Sequence, residues 1–271
     1  MPELAEVEYN RRLWDPGLGQ KVLRVAIHEE KRIFRGTETA LLEGTLPGQK
    51  LVDSEASAKQ MLFHFSGDLW LGLHLGMTGH LRAEPPDFTP AKHDHLVLFQ
   101  KKQALVFSDP RLFGRVRVEK SAAKPEWWTS LAPGVTSPEW TKEWLRGFLK
   151  RRARLAVKAA TLVQTAFPGV GNWMADEILW RARIDPRQLC GTLTRVQVDR
   201  LWTESRYVCE TALDTVGVDY SDPPADWLFH QRWSKEGRCP RHGQRLETAT
   251  VGGRTTRWCA KCQKPPRVRI S

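Results

Sequence analysis

The stretch QMLFHFSGDLWLGLHLGMTGHLRA, residues 60–83, decides the fold class. Met61, Phe63 and Phe65 alternate with Gln60, Leu62 and His64, the period-2 pattern of a strand with one buried face. Ser66-Gly67-Asp68 then makes a turn, and a second apolar run begins at Leu69. The pattern extends in both directions, so strands are predicted over residues 21–28, 50–65, 69–83, 95–100 and 104–119. Upstream, residues 3–14 read as a helix. Leu4, Val7 and then Arg11 or Leu13 fall near helical spacing, acidic residues crowd the first turn, and Asp15-Pro16-Gly17 stops it. One helix followed by many short strands predicts a β-sandwich or barrel-like first domain.

Downstream the period changes. Ala132-Pro133-Gly134-Val135-Thr136 reads as a linker, and Ser137-Pro138-Glu139 as a helix start, with a cap, a proline at the first position and an acid in the first turn. Helical spacing follows over residues 139–150, 153–164, 172–183 and 194–216, and the last forty residues hold a cysteine cluster. The fold class is therefore α+β and multidomain, with domains predicted over 1–132, 133–230 and 231–271.

The chain has 271 residues, 41% of them apolar, enough for a packed core. Lys and Arg outnumber Asp and Glu by 42 to 31, a net charge of +11 that favours nucleic acid or an anionic membrane surface as partner. No apolar run approaches the length of a membrane span, and Met1 is followed at once by Pro2, Glu3 and Glu6 with no basic or apolar leader. Five cysteines, an odd number, argue against a secreted disulfide framework. A cytoplasmic protein with reduced thiols and no membrane partner is expected.

Cys239-Pro-Arg-His242 and Cys259-Ala-Lys-Cys262 are two short chelating pairs on tight turns, with residues 243–258 between them. Three thiolates and one neutral imidazole fill a tetrahedral sphere and leave no open position, so one structural Zn2+ is predicted at Cys239, His242, Cys259 and Cys262. Arg245, Arg254 and Arg257 lie between the pairs, placed to meet phosphate. Further upstream, Phe167-Pro168-Gly169-Val170-Gly171-Asn172 joins two helices after the basic run Lys150-Arg151-Arg152-Ala153-Arg154. Asn172 opens the second helix, where its side chain and the unpaired N–H groups can hold a phosphate.

Several ordered motifs together give the chain a resemblance to the formamidopyrimidine-DNA glycosylase/endonuclease VIII family, the formamidopyrimidine branch above all. They are Met1-Pro2-Glu3-Leu4 with Glu6-Val7-Glu8, Ala58-Lys59, His74-Leu75-Gly76-Met77-Thr78-Gly79, Lys92-His93-Asp94-His95, Asp109-Pro110-Arg111-Leu112-Phe113-Gly114, Gly169-Val170-Gly171-Asn172 with Ala175 and Glu177, and Gly253-Arg254-Thr255-Thr256. The resemblance implies an N-terminal helix plus β-sandwich, a helix–two-turn–helix domain and a C-terminal zinc-finger hairpin. It implies a bifunctional DNA glycosylase and abasic-site lyase of base excision repair, acting as a monomer on damaged double-stranded DNA in a bacterial, nucleoid-associated setting. Pro2 would be the nucleophile, Glu3 the acid/base, and Lys59 a catalytic-site lysine near the phosphate. Met77, Arg111 and Phe113 would fill the gap left by a flipped nucleotide, and His74, His93, Asn172 and Arg254 would contact DNA. The chain departs from the family pattern at Ala5, where proline is usual, at His242, where cysteine is usual, and at Gln60 and Leu112. The segment from Val216 to Cys239 is also shorter than in formamidopyrimidine glycosylases, where a loop there caps 8-oxoguanine.

The implied chemistry suits these residue types. Loss of Met1 makes Pro2 a secondary amine, which on attacking the sugar C1′ gives an iminium that is cationic without an added proton. That electron sink acidifies the C2′ hydrogen and permits elimination, while Glu3 shuttles a proton to the ring oxygen. Reaching C1′ requires the nucleotide to leave the stack, and a Met, an Arg and a Phe can occupy the gap. Three other readings remain open at this level: a catalytically weak relative that binds lesion DNA, a glycosylase specialised for bulky or crosslinked bases, and a zinc-stapled RNA-binding protein. With the capping segment short, ring-opened purines or oxidised pyrimidines are expected to be better substrates than 8-oxoguanine.

Overall fold

The computed structural model describes residues 2–28 and 31–265, and it divides into two compact units, Met1–Leu131 and Ala132–Ser271. The first begins with α1 (Leu4–Arg12), β1 (Val22–Ile27) and α2 (Thr39–Thr45). It continues through β2 (Leu51–Ser57), β3 (Gln60–Phe65), β4 (Leu69–His74), β5 (His80–Glu84), β6 (Asp94–Gln100), β7 (Ala104–Ser108) and β8 (Arg115–Lys120), and ends near α3 (Glu126–Thr129). The strands form two antiparallel four-stranded sheets, ordered β1-β6-β7-β5 and β2-β3-β4-β8. Met61, Phe63 and Phe65 of one sheet share a buried cluster with Leu96, Leu98, Leu105 and Phe107 of the other, so the predicted alternation is the one that builds the core. Val7 of α1 and Trp14 close the same cluster. Asn10 fixes α1 further, its buried Oδ1 accepting the Leu81 N–H of β5 at 2.8 Å.

Three predicted strands each break in two. The run 50–65 turns back as a hairpin at Ala58-Lys59, whereas 69–83 breaks at Leu75–Gly79 and 104–119 at Asp109–Gly114, where the chain passes from one sheet to the other. Ala58 (φ 56°), Gly76 (φ 64°) and Leu112 (φ 58°) supply the left-handed backbone at these breaks. Apolar alternation carries straight across both the hairpin and the two crossings between sheets, and neither Ala58 nor Leu112 is a turn signal, so periodicity alone could not see the breaks. Helix α2 also escaped the sequence reading.

The second unit holds α4 (Lys142–Arg151), α5 (Val157–Ala160), α6 (Asn172–Ala182), α7 (Arg195–Asp214), α8 (Val216–Asp219) and a hairpin of β9 (Glu247–Val251) and β10 (Arg254–Trp258). Helix α4 starts later than predicted. Thr141 caps it, its hydroxyl accepting the Trp144 N–H at 3.1 Å, whereas Ser137 sits in the preceding turn. The predicted helix 153–164 shrinks to the single turn α5, because Val157 and Lys158 donate instead to the Gln188 and Pro186 carbonyls at 2.8 and 3.1 Å. Thr194 and Gln197 form a capping box at the head of α7. Gly252 (φ 60°) and Gly253 (φ 73°) make the two-residue turn between β9 and β10, a geometry requiring positive φ at both positions.

Candidate active site and nucleic-acid interface

In the first unit, Glu3 is the N-cap of α1 and is 3% exposed. Its backbone N–H donates to Glu6 Oε2 at 3.1 Å, which fixes the direction in which Pro2 leaves the helix. Pro2 is half-buried. Lys59 occupies the β2–β3 reversal, and Gln60 beside it pairs with His74 at the end of β4. The His74 Nδ1 accepts the Gly76 N–H at 3.0 Å, leaving Nε2 to carry the ring proton. Burial first, then the charges of Lys59, Arg35 and Arg117, hold the His74 pKa below its ordinary value. This imidazole is a neutral donor in an electropositive corner.

Met77, Arg111 and Phe113 project from two neighbouring connections that cross between the sheets. Met77 is 38% and Phe113 39% exposed, and the Arg111 guanidinium lies 4.8 Å from the centroid of the Phe113 ring. The loops touch backbone to backbone: a Cβ on Gly76 would lie 2.4 Å from the Phe113 carbonyl carbon. Asp109, fully buried, binds both. Its Oδ1 accepts from the Thr78 hydroxyl at 2.8 Å and the Arg111 N–H at 3.3 Å, and its Oδ2 accepts the Gly114 N–H at 2.6 Å. The exposed His93 holds the far side, its carbonyl accepting the Asp109 N–H at 3.0 Å. In sequence Asp109 looks like a turn former; its bond to Thr78 bridges 31 residues and leaves no local signal.

In the second unit, Asn172 is the first residue of α6, and its Nδ2 donates to the Thr255 carbonyl of β10 at 2.8 Å. The helix-opening turn is thereby tied to the hairpin that presents Arg254, which is exposed directly after the Gly252-Gly253 turn. The sequence reading missed the buried charge cluster beneath this junction. Asp176 accepts from Lys158 Nζ at 2.5 Å, Arg232 Nη2 at 2.7 Å and the Arg257 N–H of β10 at 3.2 Å, and Lys158 also donates to the Asn172 carbonyl at 2.8 Å. Both Asp176 and Lys158 are essentially unexposed. One carboxylate thus joins α5, α6, Arg232 and the hairpin. Next to it, burial pushes the Glu177 carboxyl up to about 8, with its Oε2 accepting the Phe229 N–H at 3.0 Å.

The metal-ligand set converges as its spacing predicts. The ligand atoms of Cys239, His242, Cys259 and Cys262 all lie within 4.8 Å of one another, with Cys239 Sγ 3.7 Å from Cys262 Sγ and a His242 ring nitrogen 3.2 Å from Cys262 Sγ. This group could hold a metal ion. The Trp180 indole N–H donates to Cys239 Sγ at 3.3 Å, orienting that sulfur from outside the cluster.

Comparison with known proteins places this geometry. Residues 1–116 match the family model for the formamidopyrimidine-DNA glycosylase N-terminal domain, and residues 131–222 match that for the formamidopyrimidine-DNA glycosylase H2TH domain. A formamidopyrimidine-DNA glycosylase of Xanthomonas campestris pv. campestris is 35% identical over 97% of this chain and 100% of its own length. Two solved structures of the Lactococcus lactis protein Fpg, one bound to DNA containing an oxidised pyrimidine and one to DNA containing N7-benzyl-Fapy-dG, superpose with TM-scores of 0.87 at 26% identity, covering 97% of this chain and 100% of theirs. With two family domains spanning most of its length and a relative aligned end to end, the chain belongs to the formamidopyrimidine-DNA glycosylase family.

Proposed function

We propose that the protein is a DNA glycosylase of base excision repair that removes a damaged base from duplex DNA through Pro2 and then cleaves the strand as a lyase. The observation that carries the mechanism is the head of α1, where Pro2 precedes a buried Glu3 whose backbone is held by Glu6. Met1 lies outside the described residues; its removal frees the Pro2 nitrogen. The amine attacks C1′, the glycosidic bond breaks, and its electron pair leaves with the base. Glu3 protonates the ring oxygen, the ring opens and an iminium forms between Pro2 and C1′. Loss of the C2′ proton then sends electrons toward C3′ and expels the 3′ phosphate.

Met77, Arg111 and Phe113 would fill the vacated stack, with Arg111 bonding to the orphaned partner base. Asn172, Arg254, Lys59, His74 and His93 would contact the backbone. Cys239, His242, Cys259 and Cys262 would hold one Zn2+, which stabilises the hairpin and takes no part in the reaction. A monomer working in the cytoplasm fits this chemistry; no helix among the described residues is long and apolar enough to cross a membrane. For the lesion, we propose ring-opened purines and oxidised pyrimidines ahead of 8-oxoguanine. The segment after α8 is short and carries Pro223 and Pro224 before the buried Trp227, so it offers few partners for the C8–N7 edge.

Borohydride should trap the protein on lesion DNA, and a Pro2→Gly variant with its amine blocked should give no adduct. Equal trapping by that variant would remove Pro2 from the mechanism. Single-turnover excision on matched duplexes tests the lesion order, which fails if 8-oxoguanine opposite cytosine is removed fastest.

A further inference from the structure

Strand β8 carries Arg115 and Arg117 two residues apart, on the face opposite the core-facing Val116 and Val118. Arg115 pairs across β4 with His74, and Arg117 with Gly72, so both guanidinium groups rise beside the His74 imidazole. Arg35 reaches the same corner from the segment before α2, its Nη1 donating to the Gly114 carbonyl at 2.9 Å. Among the described residues no carboxylate makes an ion pair with Arg35, Arg115 or Arg117. The Arg115 Nε is a buried donor without a partner among them. The Arg117 guanidinium is held over the Trp127 ring, 4.8 Å from its centroid, in the space that Gly72 leaves open. Burial, then the charges of Arg115 and Arg35, pull the Arg117 pKa below its ordinary value.

Three like charges gathered with no carboxylate paired to them among the described residues raise the energy of the free protein, and an orphaned guanidinium N–H adds to that cost. An anion with several oxygens relieves both, and a planar guanidinium matches phosphate in two-point geometry. We propose that Arg35, Arg115 and Arg117 form a phosphate-binding site on the outer face of β8, adjoining His74 and using side chains to which no DNA contact was assigned above. The phosphate has two possible sources, an internal phosphodiester of the bound strand or the terminal phosphomonoester left by incision. This inference rests on the reading of the protein as a DNA glycosylase.

The test is an Arg115→Gln/Arg117→Gln double variant of the full chain, with Arg115→Lys/Arg117→Lys as the charge-conserving control. Affinity is measured from about 50 to 200 mM salt on two probes: an intact duplex carrying an uncleavable abasic analogue, and a nicked duplex with a 5′ phosphate at the break. The glutamine variant should bind at least one probe roughly tenfold more weakly, with the salt slope reduced by about one, while the lysine variant keeps the slope. A loss confined to the nicked probe identifies the monoester, and a loss on the intact duplex identifies the diester. The glutamine variant should also melt no lower than the parent, since it loses repulsion. Unchanged affinity and slope on both probes would overturn the site. Borohydride trapping at saturating enzyme is scored separately: failure of the parent to trap would sink the glycosylase mechanism, while trapping with unchanged slopes would sink only the arginine site.

Discussion

Asp109 shows how much one side chain can hold. Its carboxylate accepts from Thr78, Arg111 and Gly114, and it is sealed from water. Asp109→Ala leaves those donors unsatisfied in the interior and should cost about 2–4 kcal/mol in denaturant unfolding. The variant should also excise lesions more slowly, because Met77 and Phe113 lose their fixed spacing. Glu177 gives a pH signature. A carboxyl near 4.5 when unfolded and about 8 when folded retains a proton that the unfolded chain has lost. It therefore adds stability below its unfolded pKa, and that contribution disappears as pH climbs to about 8. Between pH 5 and 8 the parent should lose stability relative to Glu177→Gln, by up to about 1.4 kcal/mol per pH unit, read from paired melting curves. Pro2, Met77 and Arg254 could be picked out of the sequence because each stands in a short motif. The Asp109–Thr78 bond, the Asp176 cluster and the Arg35–Arg115–Arg117 corner could not, because each depends on contacts between segments well apart in the chain that only the tertiary fold brings together.

At the scale of elements, the breaks between strands carry the residues proposed above to recognise DNA. Lys59, Met77, Arg111 and Phe113 all sit where a predicted strand breaks, so the segmentation that periodicity missed is also the part of the fold that presents them. A strand reading such as 69–83 registers the buried face and passes over the turn, since Leu73, Leu75 and Leu81 all remain in the core. Helices α6 and α7 were legible almost to their ends because their caps are local: Thr194 bonds within its own first turn, and Arg183 ends α6 at φ 58°. The 153–164 helix was not legible, since its backbone donors go to a segment thirty residues on. Gly76 has φ 64° and no room for a Cβ, so Gly76→Ala should destabilise the protein by more than about 1 kcal/mol and lower excision with it. Gly134, with open space around its Cα, provides the control: Gly134→Ala should leave both measurements unchanged.

At the scale of the whole chain, the two compact units depend on different things. The first is held by a sandwich core of aromatic and aliphatic side chains, and the second also by the Cys239–His242–Cys259–Cys262 cluster. If the cluster holds the Zn2+ proposed above, a chelator should lower the thermal transition of the second unit by several degrees and leave that of the first in place, as followed by calorimetry. Duplex affinity should fall with it, because Arg254 rides on the hairpin. The buried carboxylate of Asp176 sets a limit on that disruption. It receives the Arg257 N–H from inside the second unit, whereas the Cys259 N–H is held by the side chain of Gln263, at 2.9 Å, beside the cysteines. In amide hydrogen exchange the chelated protein should keep a slow proton at Arg257 and lose one at Cys259, so the hairpin would fray from its cysteine end while its grip on α6 persists.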